Sequence, residues 1–448
     1  MFAAYPDRRE ELIEMKTYIV PLSLVLCSFT ASAQKLHKLD RYIDHIESFN
    51  QGVGAISVFK DGKQLYQRRF GQSALPHSKW NKHTQYQIGS ITKVYTAVLI
   101  WKLIEAGQLT LDTRLDKYMP QMDNADKITI RHLLEHSSGI NRDYDHKPDC
   151  TNWLIDSTAK HDEIIAEIIR QGVVFEPGTA VAYSNSAYYL LKYIIEQEYG
   201  ASYGQIVSKK LSKPYHLIDF ATADMDPENV FPSYQYDYSR STWTRMPDYQ
   251  YRNIMGVGDI STTPAQLNTF FHLLFSGKVL QPESLQQMFP TAKEDFGRNL
   301  MSIPVYKQML YGHAGDTKGT HSLVMYDTTS KIGIAMVLNG QRYPHNQFYI
   351  DAYQALFSDS TALPYFVQDT QLGQYTGLYT NDSVQLQLKL YIDQEHGLLC
   401  EDVAEELAYP LTPVATNTFK VPKLGITIAI KENELLFTQN GINITLKK

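Results

Sequence analysis

Cysteine is scarce: Cys27, Cys150 and Cys400 are the three among 448 residues, too few for a disulfide framework. No Cys/His set has zinc-ligand spacing and no glycine-rich phosphate loop occurs, so neither a metal nor another cofactor is expected. A basic stripe is missing as well. Net charge is −6 with Lys and Arg dispersed along the chain, which argues against nucleic acid as a partner. Beyond the N-terminus no apolar run reaches the roughly 20 residues of a spanning helix, so a body without an integral membrane segment is expected. What remains, 43% hydrophobic and 20% charged residues, is the composition of a globular protein. Its length suggests two or three units, or one large domain with an appendage.

The N-terminus carries a compartment signal. Lys16 precedes an apolar stretch from Tyr18 to Phe29, and Ala31-Ser32-Ala33 has the small residues of a cleavage site before Gln34. Residues 1–14 are polar and acidic and fit no signal peptide, which points to Met15 as the true start. An exported, periplasmic or extracellular protein follows, with residues 1–33 as leader; the alternative is a buried N-terminal helix. Lipid anchoring through Cys27 is disfavoured by the bulky Leu26 before it. Cys150 and Cys400 then remain, either as one disulfide or as two free thiols.

Helical spacing from Leu39 to Phe49 is followed by two strands between Gly54 and Phe70, turned at Asp61-Gly62. Val94, Ala97, Val98, Trp101 and Ile104 form one apolar face of a helix that Gly107 should cap. Further helices fit His161 to Gln171, Ala187 to Tyr199, Pro264 to Phe275 and Asn346 to Phe357. Strands fit Ser322 to Asp327 and Ile332 to Asn339. Short alternating segments beyond Leu363 suggest a small all-β unit. The expected division is residues 34–360 and 361–448, with first and last strands of the larger α/β unit pairing antiparallel.

Three motifs carry chemistry. Ser90-Ile91-Thr92-Lys93 opens a helix, where positions i and i+3 share a face and the amine reaches the hydroxyl. The free N–H groups of a helix start also favour the negative charge that develops in acyl transfer. Tyr183-Ser184-Asn185 lies between a Pro-Gly turn and a helix; a phenol beside an ammonium loses its proton more easily, and an amide can clamp a substrate. His313-Ala314-Gly315 precedes the returning strands. Taken singly each is weak. Ser-x-x-Lys recurs at Ser32 and Ser157, Tyr-x-Asn at Tyr251 and Tyr379, and a lone His is commonly structural.

In this order, with ITIRHLLEHSSGI (128–140), FEPGT (175–179) and MGVGDISTTPAQLNTFFHLLFSG (255–277) between and around them, the motifs resemble the penicillin-recognising serine hydrolases of the class C β-lactamase-like kind. The resemblance spans Leu36 to Phe357, and the tail is similar to the β-barrel-like extensions of some members. It implies an antiparallel sheet flanked by helices, an all-helical subdomain and a small all-β C-terminal domain. It further implies Ser90 as nucleophile, Lys93 and Tyr183 as proton carriers, and Asn185 as the residue that orients substrate. The oxyanion would be held by the N–H groups of Ser90 and Asp316, and His313 to Gly315 would line the substrate strand edge.

Many β-lactamases of the family have lysine where this chain has His313, and the Asp316 carboxylate beside the oxyanion site disfavours anionic ligands. Ester or amide hydrolysis on a small-molecule or peptide substrate, a D-amino-acid-containing peptide among the candidates, is therefore expected ahead of efficient β-lactam turnover. A penicillin-binding or peptide-sensing module with slow or no turnover is the alternative. The Tyr-rich segment from Phe231 to Asn253 is expected to wall the cleft through Tyr234, Tyr236, Tyr238 or Trp243. His313, with an ordinary pKa of about 6.5, is expected to carry charge part of the time. Oligomeric state is left open.

Overall fold

The computed structural model describes residues 22–75, 79–144, 152–290, 297–305, 308–358 and 362–448, the side chains from residue 35 onward. A six-stranded antiparallel sheet organises the first unit. Its order is Lys63–Phe70, Gly52–Lys60, Ile332–Gln341, Thr320–Asp327, Gln308–Thr317, Met301–Val305. The first strand pairs with the late strand Ile332–Gln341, Ala55 opposite Val337, so distant parts of the chain close the sheet as expected. The strands Gln308–Thr317 and Met301–Val305 escape sequence reading because Pro304 and the polar 313–318 run hide their alternation.

Helices cover both faces. On one, Leu22–Ser48 and His345–Phe357 bury Leu39, Ile43, Phe348 and Ala352 against Ile56, Met336 and Leu338. At roughly 1.5–3 kcal/mol per large apolar side chain, this layer holds the sheet's first strand against its late partner. The opposite face carries the larger core, centred on the helix Thr92–Glu105. That helix is not amphipathic as its spacing suggested: Val94, Tyr95, Leu99, Ile100 and Trp101 are all buried, so neighbours surround it. It ends where expected, with Gly107 at φ +71°.

Residues 377–447 form a nine-stranded antiparallel sheet. Its two edge strands, Leu407–Pro410 and Thr412–Ala415, follow one another through Leu411 alone, so the sheet must roll until its edges meet. Tyr379, Leu388, Phe419, Ile428 and Leu435 fill the barrel-like interior. Cys400 is a free buried thiol, while Cys150 and the side chain of Cys27 lie outside the described residues. The helix Leu22–Ser48 runs through the expected cleavage point before Gln34. Among the described residues no helix is long and apolar enough to cross a membrane.

Candidate active site

A tight turn at Gly89–Ile91 delivers Ser90 to the start of the central helix. Gly89 is required there: it has φ +50°, and a Cβ would lie 2.8 Å from the Asp316 nitrogen. One turn on, Lys93 Nζ sits 2.9 Å from Ser90 Oγ and donates to the Val257 carbonyl at 2.9 Å. Lys93 has no solvent exposure. Burial lowers its pKa to about 7, although the Asp143 carboxylate pulls the other way. A large share of the amine is therefore neutral near neutral pH and free to accept the Ser90 proton.

The second motif converges on the same atoms. Tyr183 hydrogen-bonds Ser90, and Lys93 Nζ stands 5.1 Å from the centre of its ring. The expected acidification of this phenol does not occur. Burial outweighs the Ser90 hydrogen bond and Arg142, and the pKa of Tyr183 rises, so the hydroxyl keeps its proton. Asn185 begins the helix Asn185–Tyr199, which Ser184 caps by accepting from the Ala187 N–H at 3.1 Å. Its Nδ2 donates to Asp143 Oδ1 at 2.6 Å.

The third motif lies on Gln308–Thr317 past its last pairing with Met301–Val305, at Gly312, so from His313 onward one strand edge faces Ser90. Gly315 permits this approach, because a Cβ would fall 2.0 Å from the Ile88 carbonyl and 2.9 Å from the Ser90 nitrogen. Ser322 Oγ fixes the junction by donating to the carbonyls of Ile88 at 2.8 Å and Gly315 at 3.1 Å. The His313 imidazole is 2% exposed and donates from Nδ1 to the Ala314 carbonyl at 2.5 Å. Burial lowers its pKa to about 4. The part-time charge expected of His313 is thus absent near neutral pH.

A cleft of about 260 Å³ opens over Ser90, lined by Asn185, Asp316, Asp143 and Arg142, with Tyr144, Tyr249, Tyr251 and Lys318 around them. The segment 231–253 does contribute to it, but through its end. Tyr234, Tyr236 and Trp243 are buried in a separate core with Val53 and Val337, and Tyr238 packs beside them. The segment's first half is a hairpin, Tyr234–Asp237 with Thr242–Arg245, rather than a loop. Its apolar side chains had a core to fill; Tyr251 instead lines the cleft beside Thr317.

Several supporting residues lie outside the three motifs. His136 stacks on Tyr183 at 4.4 Å and accepts from the Ser184 N–H at 3.1 Å. Burial, aided by Lys93 and His313, lowers its pKa to about 3, so it is a neutral platform. Buried Asp259 accepts from the Gly256 N–H at 2.8 Å and the Ala223 N–H at 3.1 Å, shaping the turn that presents the Val257 carbonyl to Lys93. Both residues sit in the segments 128–140 and 255–277, whose order was the available signal.

The sequence model of the family described as Beta-lactamase matches residues 42–358. PbpX of Bacillus subtilis (strain 168), a penicillin-binding protein by name, is 27% identical over 258 residues, 56% of this chain; the chain spans 62% of that protein's length. The teichoic acid D-alanine hydrolase of Staphylococcus aureus is 22% identical over 282 residues, covering 62% of this chain and 68% of the hydrolase. The octameric penicillin-binding protein homologue from Pyrococcus abyssi superposes with a TM-score of 0.68 at 23% identity, covering 92% of this chain and 100% of its own.

Proposed function

The chain belongs to the Beta-lactamase family, and on that premise we propose that it is a serine hydrolase working through a Ser90 acyl-enzyme. The observation that carries this reading is the buried Lys93 amine, 2.9 Å from Ser90 Oγ with its pKa lowered to about 7. Ser90 Oγ attacks the substrate carbonyl as its proton passes to Lys93 Nζ. The Tyr183 phenol gives a proton to the departing alcohol or amine and is refilled from Lys93. Water then enters by the reverse relay, and the free acid leaves. The N–H groups of Ser90 and Asp316 face the developing oxyanion, each worth about 3 kcal/mol in such a role.

The acyl group best matched to the cleft is a D-aminoacyl ester or amide with a free amine. Asp316 lines the cleft. Burial pushes its carboxyl up, but the hydrogen bond from His321 and the electrostatic pull of the neighbouring imidazoles together outweigh this and hold it below the usual range, so it is ionised in the cleft lining. His313, being neutral, offers no charge to a substrate carboxylate. The kinship with a teichoic acid D-alanine hydrolase points to the same acyl class. The leader, residues 1–33 with its signal peptide starting at Met15, supports export, and residues 34–360 and 361–448 are read as hydrolase and barrel domains.

The test is turnover of a D-alanyl ester against its N-acetyl analogue. A preference for the free amine of roughly tenfold or more, reduced in Asp316→Asn, is expected. Equal rates would overturn the amine assignment. Persistent adducts without turnover of any ester or amide would favour the penicillin-binding sensor.

A further inference from the structure

Just outside the catalytic atoms, three metal-ligating side chains converge from three elements. Asp316 and His321 are paired residues on neighbouring antiparallel strands, so their side chains share a face of the sheet. Asp316 Oδ1 lies 2.6 Å from His321 Nδ1. His345, from the first turn of the helix His345–Phe357, stacks its ring on that of His321 at 4.1 Å and 10°. One ligand atom from each of the three lies within 4.8 Å of the others. Among the described residues no second group of three is so placed.

The pairing of Asp316 with His321 is an ordinary hydrogen bond; a second imidazole stacked on the first is what gives the group a third metal-ligating side chain. Gln341 spans the pair, its Nε2 3.0 Å from His321 Nε2 and its Oε1 3.2 Å from His345 Nδ1. The amide oxygen accepts from His345 Nδ1, as the outer partner of a metal-bound histidine does, while the amide nitrogen donates to His321 Nε2 and fixes that ring with the opposite polarity.

We infer that Asp316, His321 and His345 form a site for a borderline divalent cation, with Zn²⁺ the best fit, at the rim of the acyl-transfer cleft. Two imidazole nitrogens and one carboxylate oxygen are a donor set that tetrahedral Zn²⁺ takes, with water in the fourth position. Ligand atoms around such an ion stand roughly 3.4 Å apart, given bonds of about 2.0–2.1 Å. The present spacing, 2.6 Å between Asp316 Oδ1 and His321 Nδ1 and up to 4.8 Å within the group, brackets that value, and it is held by two half-buried rings and an exposed carboxylate.

The position gives the cation a consequence. The Asp316 carboxylate is the anchor assigned above to a substrate amine, and the same oxygens cannot serve both. Bound Zn²⁺ therefore competes with aminoacyl substrates and spares neutral esters. That kinetic effect rests on the proposed function; binding itself does not.

Binding is tested on untagged, EDTA-stripped full-length protein carrying Ser90→Ala, by calorimetric titration with Zn²⁺ and by Co²⁺ absorption. One equivalent at micromolar metal is expected, with tetrahedral Co²⁺ bands and a Zn²⁺-dependent rise in Tm. His321→Ala, or the gentler His345→Gln, should weaken binding by roughly tenfold or more. Stoichiometry and affinity unchanged in both variants, or no saturable binding in the parent, would overturn the site. In active protein, Zn²⁺ should raise KM for a D-alanyl ester and not for its N-acetyl analogue. Saturable binding with equal inhibition of both esters would keep the metal site and count against the amine-anchoring role of Asp316.

Discussion

Asn185 Nδ2 donates to Asp143 Oδ1 at 2.6 Å, which places a carboxylate from outside the three motifs in the electrostatic field of Lys93. Burial sets the direction of the Lys93 shift, and Asp143 is the group that limits it. Asp143→Asn should therefore lower the Lys93 pKa further and enlarge its neutral fraction at a given pH. The acidic limb of kcat/KM, which reports the base in the free enzyme, should move to lower pH. A limb that stays in place or moves up would dissociate Asp143 from Lys93.

The same burial makes Lys93 a stability liability with a defined pH signature. Its pKa falls from 10.5 in the unfolded chain to about 7 in the folded one, so between these values the unfolded chain binds the extra proton. Stability from this group thus rises with pH across that window and is lowest below pH 7, where the buried amine stays charged. Lys93→Met should be inactive, and its stability relative to the parent should be greatest near pH 6 and decline toward pH 10. The full span is on the order of 5 kcal/mol. Chemical denaturation at the two pH values measures it, and a constant difference would refute the buried charge.

His313 supplies a test with a flat outcome. With a folded pKa of about 4, the imidazole stays neutral over the working range. The ratio of kcat/KM for an anionic substrate to that for a neutral one should hold constant from about pH 5.5 to 8 as far as His313 is concerned. His136 and His313 should instead appear in acid unfolding. Their folded pKa values, about 3 and about 4, lie below the unfolded value of 6.5, so stability falls as pH drops from 6.5 toward 4. Each contributes up to about 1.4 kcal/mol per pH unit. His136→Asn retains an acceptor for the Ser184 N–H and should flatten that slope in urea titrations.

The segment 231–253 divides into a structural half and a cleft half. Trp243 is buried edge-on to Tyr236 at 5.0 Å, and Arg342 lies over Tyr236 at 4.1 Å while pairing with Asp369. Trp243→Ala should cost about 3–5 kcal/mol of stability. Tyr251→Ala should change the ranking of substrates by leaving-group size with a much smaller effect on Tm. The reverse assignment of effects would contradict the division.

Periodicity made most helices legible: His161–Gln171 and Pro264–Phe275 fall where their apolar spacing puts them. The closure of first and last strands followed from a helix-rich middle between strand-like ends, and Ala55 opposite Val337 realises it. The three motifs were legible as order along the chain. Their electrostatics were not, because burial is a property of the fold: the same Lys93, Tyr183 and His313 would have ordinary pKa values in water, and each is shifted by desolvation. Tyr236 and Trp243 misled for a related reason, since an aromatic-rich run without clear period suits a cleft wall and a small satellite core equally.

An acyl-enzyme on Ser90, formed with the help of an uncharged Lys93, leaves a covalent mark that can be trapped. Intact-mass and peptide mass spectrometry after quenching a D-alanyl ester reaction in acid tests it most directly. One acyl adduct is expected, mapped to the peptide containing Ser90, formed faster as pH rises through about 7 and absent in Ser90→Ala. An adduct on another residue, or hydrolysis at the parent rate in Ser90→Ala, would contradict it.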